Sequence, residues 1–345
     1  MHGANFYDYD KKLIDFSSNI NVFNMNERLF SIIREDFDNV NVYPDIKARE
    51  AIDNVATYLA CDASNIILGN GSIEIIDKAI HRASRVVIFD PSFYEYELRA
   101  SVYKKELIRI NYKDFKINYK DFKINFDELN ILKKNDLLIL TNPNNPNGRL
   151  LKKEELIKAQ EICKEHGATL LLDEAFIEFT LHDYDSIKLF KDEDVIIVRA
   201  MTKTFALPSV RFGFAYAPKD FKDYYDELSL AWSTGFIQNE AAKLLANSEE
   251  YLSQTKKYYQ EERNRLKNLY KDFENFEMID SDANFYLIKL KKYNDEEMYK
   301  IMLEKGILIR KMQGYKNIGK NYIRLAIRTR EENDYLIEKL REIEK

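Results

Sequence analysis

Short unbroken apolar runs alternate with longer segments whose apolar positions recur every three or four residues. Residues 65–68, 85–89, 136–140, 169–172 and 195–198 are such runs, rich in Ile, Val and Leu. Gly69-Asn70-Gly71-Ser72 follows the first, Asp90-Pro91 the second, Thr141-Asn142-Pro143 the third and Asp173-Glu174 the fourth, while Lys203 lies just beyond the last. β-formers flanked by turn residues and separated by helices predict an α/β fold with a mostly parallel central sheet flanked by helices. In such sheets chemistry gathers at the carboxyl ends of strands.

After about Pro218 the pattern changes to long charged helices, of which 251–273 reads as a solvated amphipathic helix. Strand-like runs at 284–288 and 322–327, with a helix between them and another from Glu331, predict a smaller α+β C-terminal subdomain. The expected division is 41–235 for the large domain and 1–40 plus 236–345 for the small one. Ile110–Lys116 is repeated as Ile117–Lys123. Seven residues are too few for a solenoid unit, so the copy reads as an insertion in a surface connection.

Composition narrows the class. With 45% hydrophobic and 32% charged residues over 345 positions, the chain can bury a core, which excludes a disordered or collagen-like polymer. Its 53 basic and 58 acidic residues leave a net charge of −5, spread without clusters, so no nucleic-acid surface is expected. Cys61 and Cys163 stand far apart, which predicts neither a disulfide framework nor a metal site and suits a reducing cytoplasm. No apolar run approaches the ~18–20 residues of a membrane span, and the first residues do not read as a signal peptide.

Three residues carry the chemistry together. A buried carboxylate at Asp173 can keep a pyridinium nitrogen protonated. A lysine at Lys203 can condense with an aldehyde if its surroundings lower its pKa. Arg211, eight residues on, can hold a phosphate together with the glycine-bearing turn 69–72 that opens a helix. Aldehyde, pyridine nitrogen and phosphate are the handles of pyridoxal 5'-phosphate.

The ordered motifs Gly69-Asn70-Gly71-Ser72, Thr141 to Gly148, Asp173 to Phe179 and Thr202-Lys203 through Gly213 resemble the fold-type-I, class I/II aminotransferase superfamily from about residue 2 to 340. Within it the chain is similar to the histidinol-phosphate aminotransferase and threonine-phosphate decarboxylase group. The resemblance implies that Lys203 is the Schiff-base lysine and proton shuttle and that Asp173 pairs with the ring nitrogen. It puts Asn145 at the ring hydroxyl and Phe93 against the ring face. It assigns the cofactor phosphate to Asn70, Gly71, Ser72, Thr202 and Arg211. Tyr43 matches a tyrosine that reaches the neighbouring subunit's cofactor, which implies a homodimer. Arg324 matches the arginine for the substrate carboxylate. Phe176, Asn147 and Ala200 depart from the commoner Tyr, Thr and hydroxyl residues, and would tune the cofactor's contacts.

The N-terminal segments His2–Asn5 and Asp15–Asn21, together with 307–310 and Arg324–Arg328, resemble the decarboxylases that make aminopropanol phosphate for cobalamin. Arg328 stands where the aminotransferases have Gly. With His2 it is expected to form a substrate-phosphate site on Arg324's side of an alternating strand, and Asn19 is expected among the substrate-binding residues. The expected reaction is decarboxylation of an O-phosphorylated amino acid, threonine or serine phosphate. Transamination of histidinol phosphate or another phosphorylated amino alcohol is the second expectation, and a non-catalytic homologue the third. The bond held perpendicular to the cofactor ring is the one that breaks, so the substrate's anchors choose between them.

Overall fold

The computed structural model describes residues 3, 5–10, 12–112 and 123–344. Its largest sheet has seven strands in the order Ile66–Asn70, Phe212–Tyr216, Val195–Ala200, Thr169–Asp173, Leu137–Thr141, Arg85–Asp90 and Glu106–Asn111. Phe212–Tyr216 runs antiparallel to both its neighbours, and the remaining pairs of this sheet are parallel. The five runs read from the sequence are all strands of this sheet, and two more join it. Glu106–Asn111 is a half-exposed edge whose charges interrupt the apolar run. Phe212–Tyr216 contains Gly213, a strand-weakening residue.

Period-two alternation splits the sheet's side chains between two layers. Val86, Ile88, Leu137, Ile139, Leu171 and Ile196 meet the helix Ser72–Arg82, which buries Ile75, Ile76, Ala79 and Ile80 against them. Val87, Phe89, Leu138, Leu140, Leu170 and Leu172 face the other layer. Each such fully buried side chain stabilises the fold by about 1.5–3 kcal/mol through area removed from water. Burial on both faces is why these strands read as unbroken apolar runs.

The C-terminal part is built on a four-stranded antiparallel sheet, in the order Arg310–Lys311, Tyr322–Ala326, Phe285–Leu290 and Phe276–Met278. The helix Glu249–Leu269 lies beside it and buries a narrow stripe, Thr255, Tyr259, Glu262 and Leu266, at spacings of four, three and four. Near the N-terminus, Ile14–Asp15 pairs in parallel with Ile307–Leu308. From there the chain crosses to the large sheet, where the Asn21 amide donates to the Lys203 carbonyl and the Asn21 side chain to the Thr204 carbonyl. The N-terminal segment thereby covers the carboxyl ends of the central strands. The duplicated stretch falls largely at 113–122, outside the described residues. No helix among the described residues is long and apolar enough to cross a membrane.

Candidate active site

A cavity of about 410 Å³ opens where the central strands end beneath the C-terminal sheet. Its floor is set by strand register. Asp173 closes the strand Thr169–Asp173 and lies opposite Thr141 of the neighbouring strand. Lys203 sits in a single helical turn, Met201–Thr204, directly after the strand Val195–Ala200. Beneath them Arg199 binds two buried acids, reaching Glu174 at 2.9 and 3.0 Å and Glu178 at 3.5 Å. This ion cluster ties the loop after Asp173 to the strand that leads to Lys203. Burial is the reason its charges are paired, since an isolated charge there would be costly.

Lys203 is half-buried in the cavity wall and has no salt-bridge partner among the described residues. Burial pushes its pKa down to about 8, helped by the nearby cations Arg324 and Arg211 and opposed by Asp15. A substantial neutral fraction near neutral pH suits a nucleophilic amine. Burial raises the Asp173 pKa, while hydrogen bonds from Tyr96 and from the Ala175 amide act in the opposite direction. Asn145 turns its side-chain oxygen to the Arg324 guanidinium at 2.6 Å and to the Tyr315 hydroxyl at 2.9 Å. Phe93 lines the cavity, as does Phe176, whose ring meets Phe285 edge-on.

The phosphate end is built by close backbone approach. Gly71 has φ +78°, and a Cβ there would lie 2.6 Å from the Arg211 guanidinium. A Cβ on Gly213 would fall on the Ser72 amide nitrogen. Ser72, Ile73, Thr202 and Arg211 line this end, at the start of the helix Ser72–Arg82, where first-turn amides lack helical partners. Asn70 and Gly71, expected here from the sequence, stand just outside. The Asn70 amide donates to Glu74 and its side chain accepts from Gln238, while the Gly71 amide is bonded to the Gly69 carbonyl. Gly71 serves by being small, and the exposed amides belong to the two residues after it.

The roof comes from the small sheet and the N-terminal segment. Arg324 is buried, donates to the Ser17 carbonyl at 2.9 Å, and leaves Nε without a partner. Asn19 lines the cavity with its side-chain oxygen likewise unpartnered. Arg310 is the register partner of Arg324 on the adjacent strand and also lines the cavity. Neither guanidinium has a carboxylate partner among the described residues.

Arg328 corrects the sequence expectation. The strand ends at Ala326, so its alternation does not extend two residues further. The Arg328 amide instead bonds the Asn333 side chain, and its guanidinium pairs with Glu332 at 3.1 Å. It is absent from the cavity lining. The helix Arg330–Glu344 starts too soon after the strand and captures it. His2 lies outside the described residues. Tyr43 is 80% exposed, beside Trp232 at 5.0 Å, and is no part of this chain's own cavity.

Sequence reasoning missed Arg310, Tyr315 and Tyr96. Arg310 ends the run 307–310 that carried part of the resemblance, but nothing local announces its pairing opposite Arg324. Tyr96 follows Phe93 by three residues at the start of the helix Tyr94–Val102, a spacing that looks like core. Tyr315 lies in a loop, and nothing local marks it.

Among the described residues, no group of three or more His, Cys, Asp or Glu could hold a metal ion. The cavity does fit pyridoxal phosphate: an amine with no salt-bridge partner among the described residues, a buried carboxylate and a glycine-cleared anion cradle lie around one space.

Comparison with known proteins agrees. A protein from Caldanaerobacter subterraneus subsp. tengcongensis, provisionally named threonine-phosphate decarboxylase, is 34% identical over 99% of this chain and 93% of its own length. The histidinol-phosphate aminotransferase of Methanocaldococcus jannaschii is 26% identical over 96% of this chain and 89% of its own. The crystal structure of the histidinol-phosphate aminotransferase from Clostridium acetobutylicum superposes with a TM-score of 0.89 at 28% identity, covering 96% of this chain and 99% of that one. The family model for aminotransferase class I and II matches residues 3–340. The chain belongs to that family, with its fold-type-I architecture and its dependence on pyridoxal phosphate.

Proposed function

We propose that the protein decarboxylates an O-phosphorylated amino acid, threonine phosphate or serine phosphate, to the amino-alcohol phosphate. The observation that carries this reading is the pair Arg324 and Arg310, side by side in the roof and without a salt-bridge partner among the described residues. Such a pair suits a small substrate with an anion at each end, a carboxylate and a phosphate. The 34% identity to the provisionally named threonine-phosphate decarboxylase favours the same reaction. Threonine phosphate as substrate would place the product, an aminopropanol phosphate, in cobalamin assembly.

The bound cofactor supplies an electron sink for the bond that breaks at the substrate's Cα. The chain's own residues do the rest. Ser72, Ile73, Thr202 and Arg211 hold the cofactor phosphate. Asp173 holds the ring nitrogen, and Asn145 the ring hydroxyl. Phe93 covers the ring. Lys203 would hold the cofactor's aldehyde end, and its amine would carry the proton to or from the substrate's Cα. Arg324 and Arg310 fix the substrate's anionic ends, and with them the bond that stands perpendicular to the ring.

Transamination of histidinol phosphate, or of another phosphorylated amino alcohol, is the second reading. The same arginine pair would hold both ends of a dicarboxylate amino acceptor, and the 0.89 TM-score to a histidinol-phosphate aminotransferase favours it. The test incubates cofactor-loaded protein with phosphothreonine, with phosphoserine, and with histidinol phosphate plus 2-oxoglutarate. Carbon dioxide from the phosphoamino acids supports decarboxylation; glutamate from the third mixture and no carbon dioxide from the others replaces it with transamination. A loaded protein without visible absorbance, inert in all three, would instead be a non-catalytic homologue.

The active unit in this reading is a homodimer. Phe37, Val42, Tyr43, Leu230 and Trp232 expose apolar surface around Tyr43, which would reach the partner's cavity. Light scattering of the purified protein checks this, and a monomer that turns over at full rate would exclude it. The free thiols Cys61 and Cys163 are in keeping with a cytoplasmic enzyme.

A further inference from the structure

We propose that Tyr96 is a positioning residue that holds Asp173 as an anion and keeps the shared proton on the cofactor's ring nitrogen. The inference rests on the reading that Asp173 meets that nitrogen.

Tyr96 is fully buried, its ring edge-on to Phe93 at 5.6 Å. Its hydroxyl lies 2.6 Å from Asp173 Oδ2 and 3.0 Å from Thr141 Oγ1. A tyrosine has one hydroxyl proton, and the carboxylate, which can only accept, takes it. The Thr141 hydroxyl must then donate to the tyrosine oxygen. The order of donation is Thr141 to Tyr96 to Asp173, across two adjacent strands whose ends are in register.

Nothing cationic pairs with Asp173 among the described residues. Its other oxygen accepts from the Ala175 amide at 3.1 Å. Burial alone would drive the carboxyl towards its neutral form, and the neighbouring Glu174 pushes the same way. Only hydrogen bonds oppose them, and the one from Tyr96 is the shorter of the two. Hydrogen bonds to the charged form of an acid favour that form.

The consequence for the cofactor follows from where the proton rests. A carboxylate stripped of its donor has a greater proton affinity, so a proton shared with a pyridine nitrogen moves towards oxygen. The ring then loses positive charge and becomes a weaker electron sink. With the tyrosine in place the charge stays on the ring, where it draws electrons from the breaking bond.

The test reconstitutes wild type, Tyr96→Phe, Thr141→Val and Asp173→Asn with pyridoxal phosphate ¹⁵N-labelled in the ring, and reads the nitrogen resonance. Tyr96→Phe keeps the ring that fills the core. It is expected to move the resonance towards that of neutral pyridine and to lower kcat about tenfold, with KM unchanged. Thr141→Val, which only weakens the donor, should move it in the same direction by less. If Tyr96→Phe folds and leaves the resonance at its wild-type position, the proposal is overturned. Should Tyr96→Phe fail to fold, an unmoved resonance in Thr141→Val overturns it instead. An Asp173→Asn resonance identical to wild type would show that Asp173 does not meet the nitrogen, which overturns the underlying reading as well.

Discussion

Lys203, Asp173 and Asn145 reach the cavity from the strand ends of the seven-stranded sheet, while Arg324, Arg310 and Tyr315 reach it from the four-stranded sheet and a loop. The floor groups stand within a residue or a few of the strands that position them, so hydrogen-bonded register places them. The roof groups are long side chains, and its two arginines form no salt bridge among the described residues. Chemistry common to a family needs the first kind of placement, because a misplaced amine or carboxylate abolishes it. Selection among substrates uses the second kind, because a single arginine can be added, removed or turned aside.

The sharpest way to break this contrast is at the floor. Lys203→Ala should lose essentially all turnover, since no other amine among the cavity-lining residues can take its place. Borohydride reduction of loaded wild type, followed by peptide mapping, should find the cofactor on Lys203. A label on any other lysine removes it from this role. Asp173→Asn should retain cofactor through the phosphate cradle while turnover falls about a hundredfold. Near-normal rates in that variant would mean the carboxylate is structural.

The roof should respond in degrees and by substrate. Arg310→Gln is expected to lose about 2–4 kcal/mol of transition-state binding with a phosphorylated substrate, the scale for one partner of a desolvated charge pair. With the unphosphorylated amino acid the loss should be far smaller. Arg328→Gln is the control: its guanidinium is already paired with Glu332, so kcat/KM should shift by less than about 0.5 kcal/mol. A large, phosphate-dependent loss in Arg328→Gln, with none in Arg310→Gln, would reverse the assignment of the two arginines.

The same contrast explains what the sequence made legible. Doubly buried strands are unbroken apolar runs, and Asp173 and Lys203 stand at or just past their ends, so their place beside one cavity was legible from their order and the motifs around them. Arg328 was misjudged because strand alternation holds only while the strand continues, and Asn333 and Glu332 of the next helix ended it. Arg310 was missed because its significance is its register opposite Arg324, a long-range pairing with no local signal. Asn70 lies two residues before Ser72, the first cavity-lining residue of that turn, and its amide is taken by Glu74 folding back. Tyr96 resembles an ordinary core tyrosine until its hydroxyl is seen at the end of the neighbouring strand.

The smallest expected effect joins the two regions. Burial first, and Arg324 and Arg211 after it, set the Lys203 pKa at about 8, against an ordinary 10.5. In cofactor-free protein the rate of capturing pyridoxal phosphate should therefore rise with pH and level off above a midpoint near 8, since only the neutral amine attacks. Stability should follow by linkage. Between about 8 and 10.5 the folded state has released a proton that the unfolded chain still holds, so this group makes the cofactor-free fold more stable as pH rises through that window, and adds no slope outside it. Arg324→Gln removes one of the roof's cations and its hydrogen bond to Asn145, while leaving Lys203 and Asp173 in place. The capture midpoint should then move upward by a fraction of a unit, and the stability window should narrow from its lower edge. Arg328→Gln should leave both where they were. A midpoint unmoved in Arg324→Gln would show that burial alone tunes the amine, and that the roof acts on substrate without acting on the lysine beneath it.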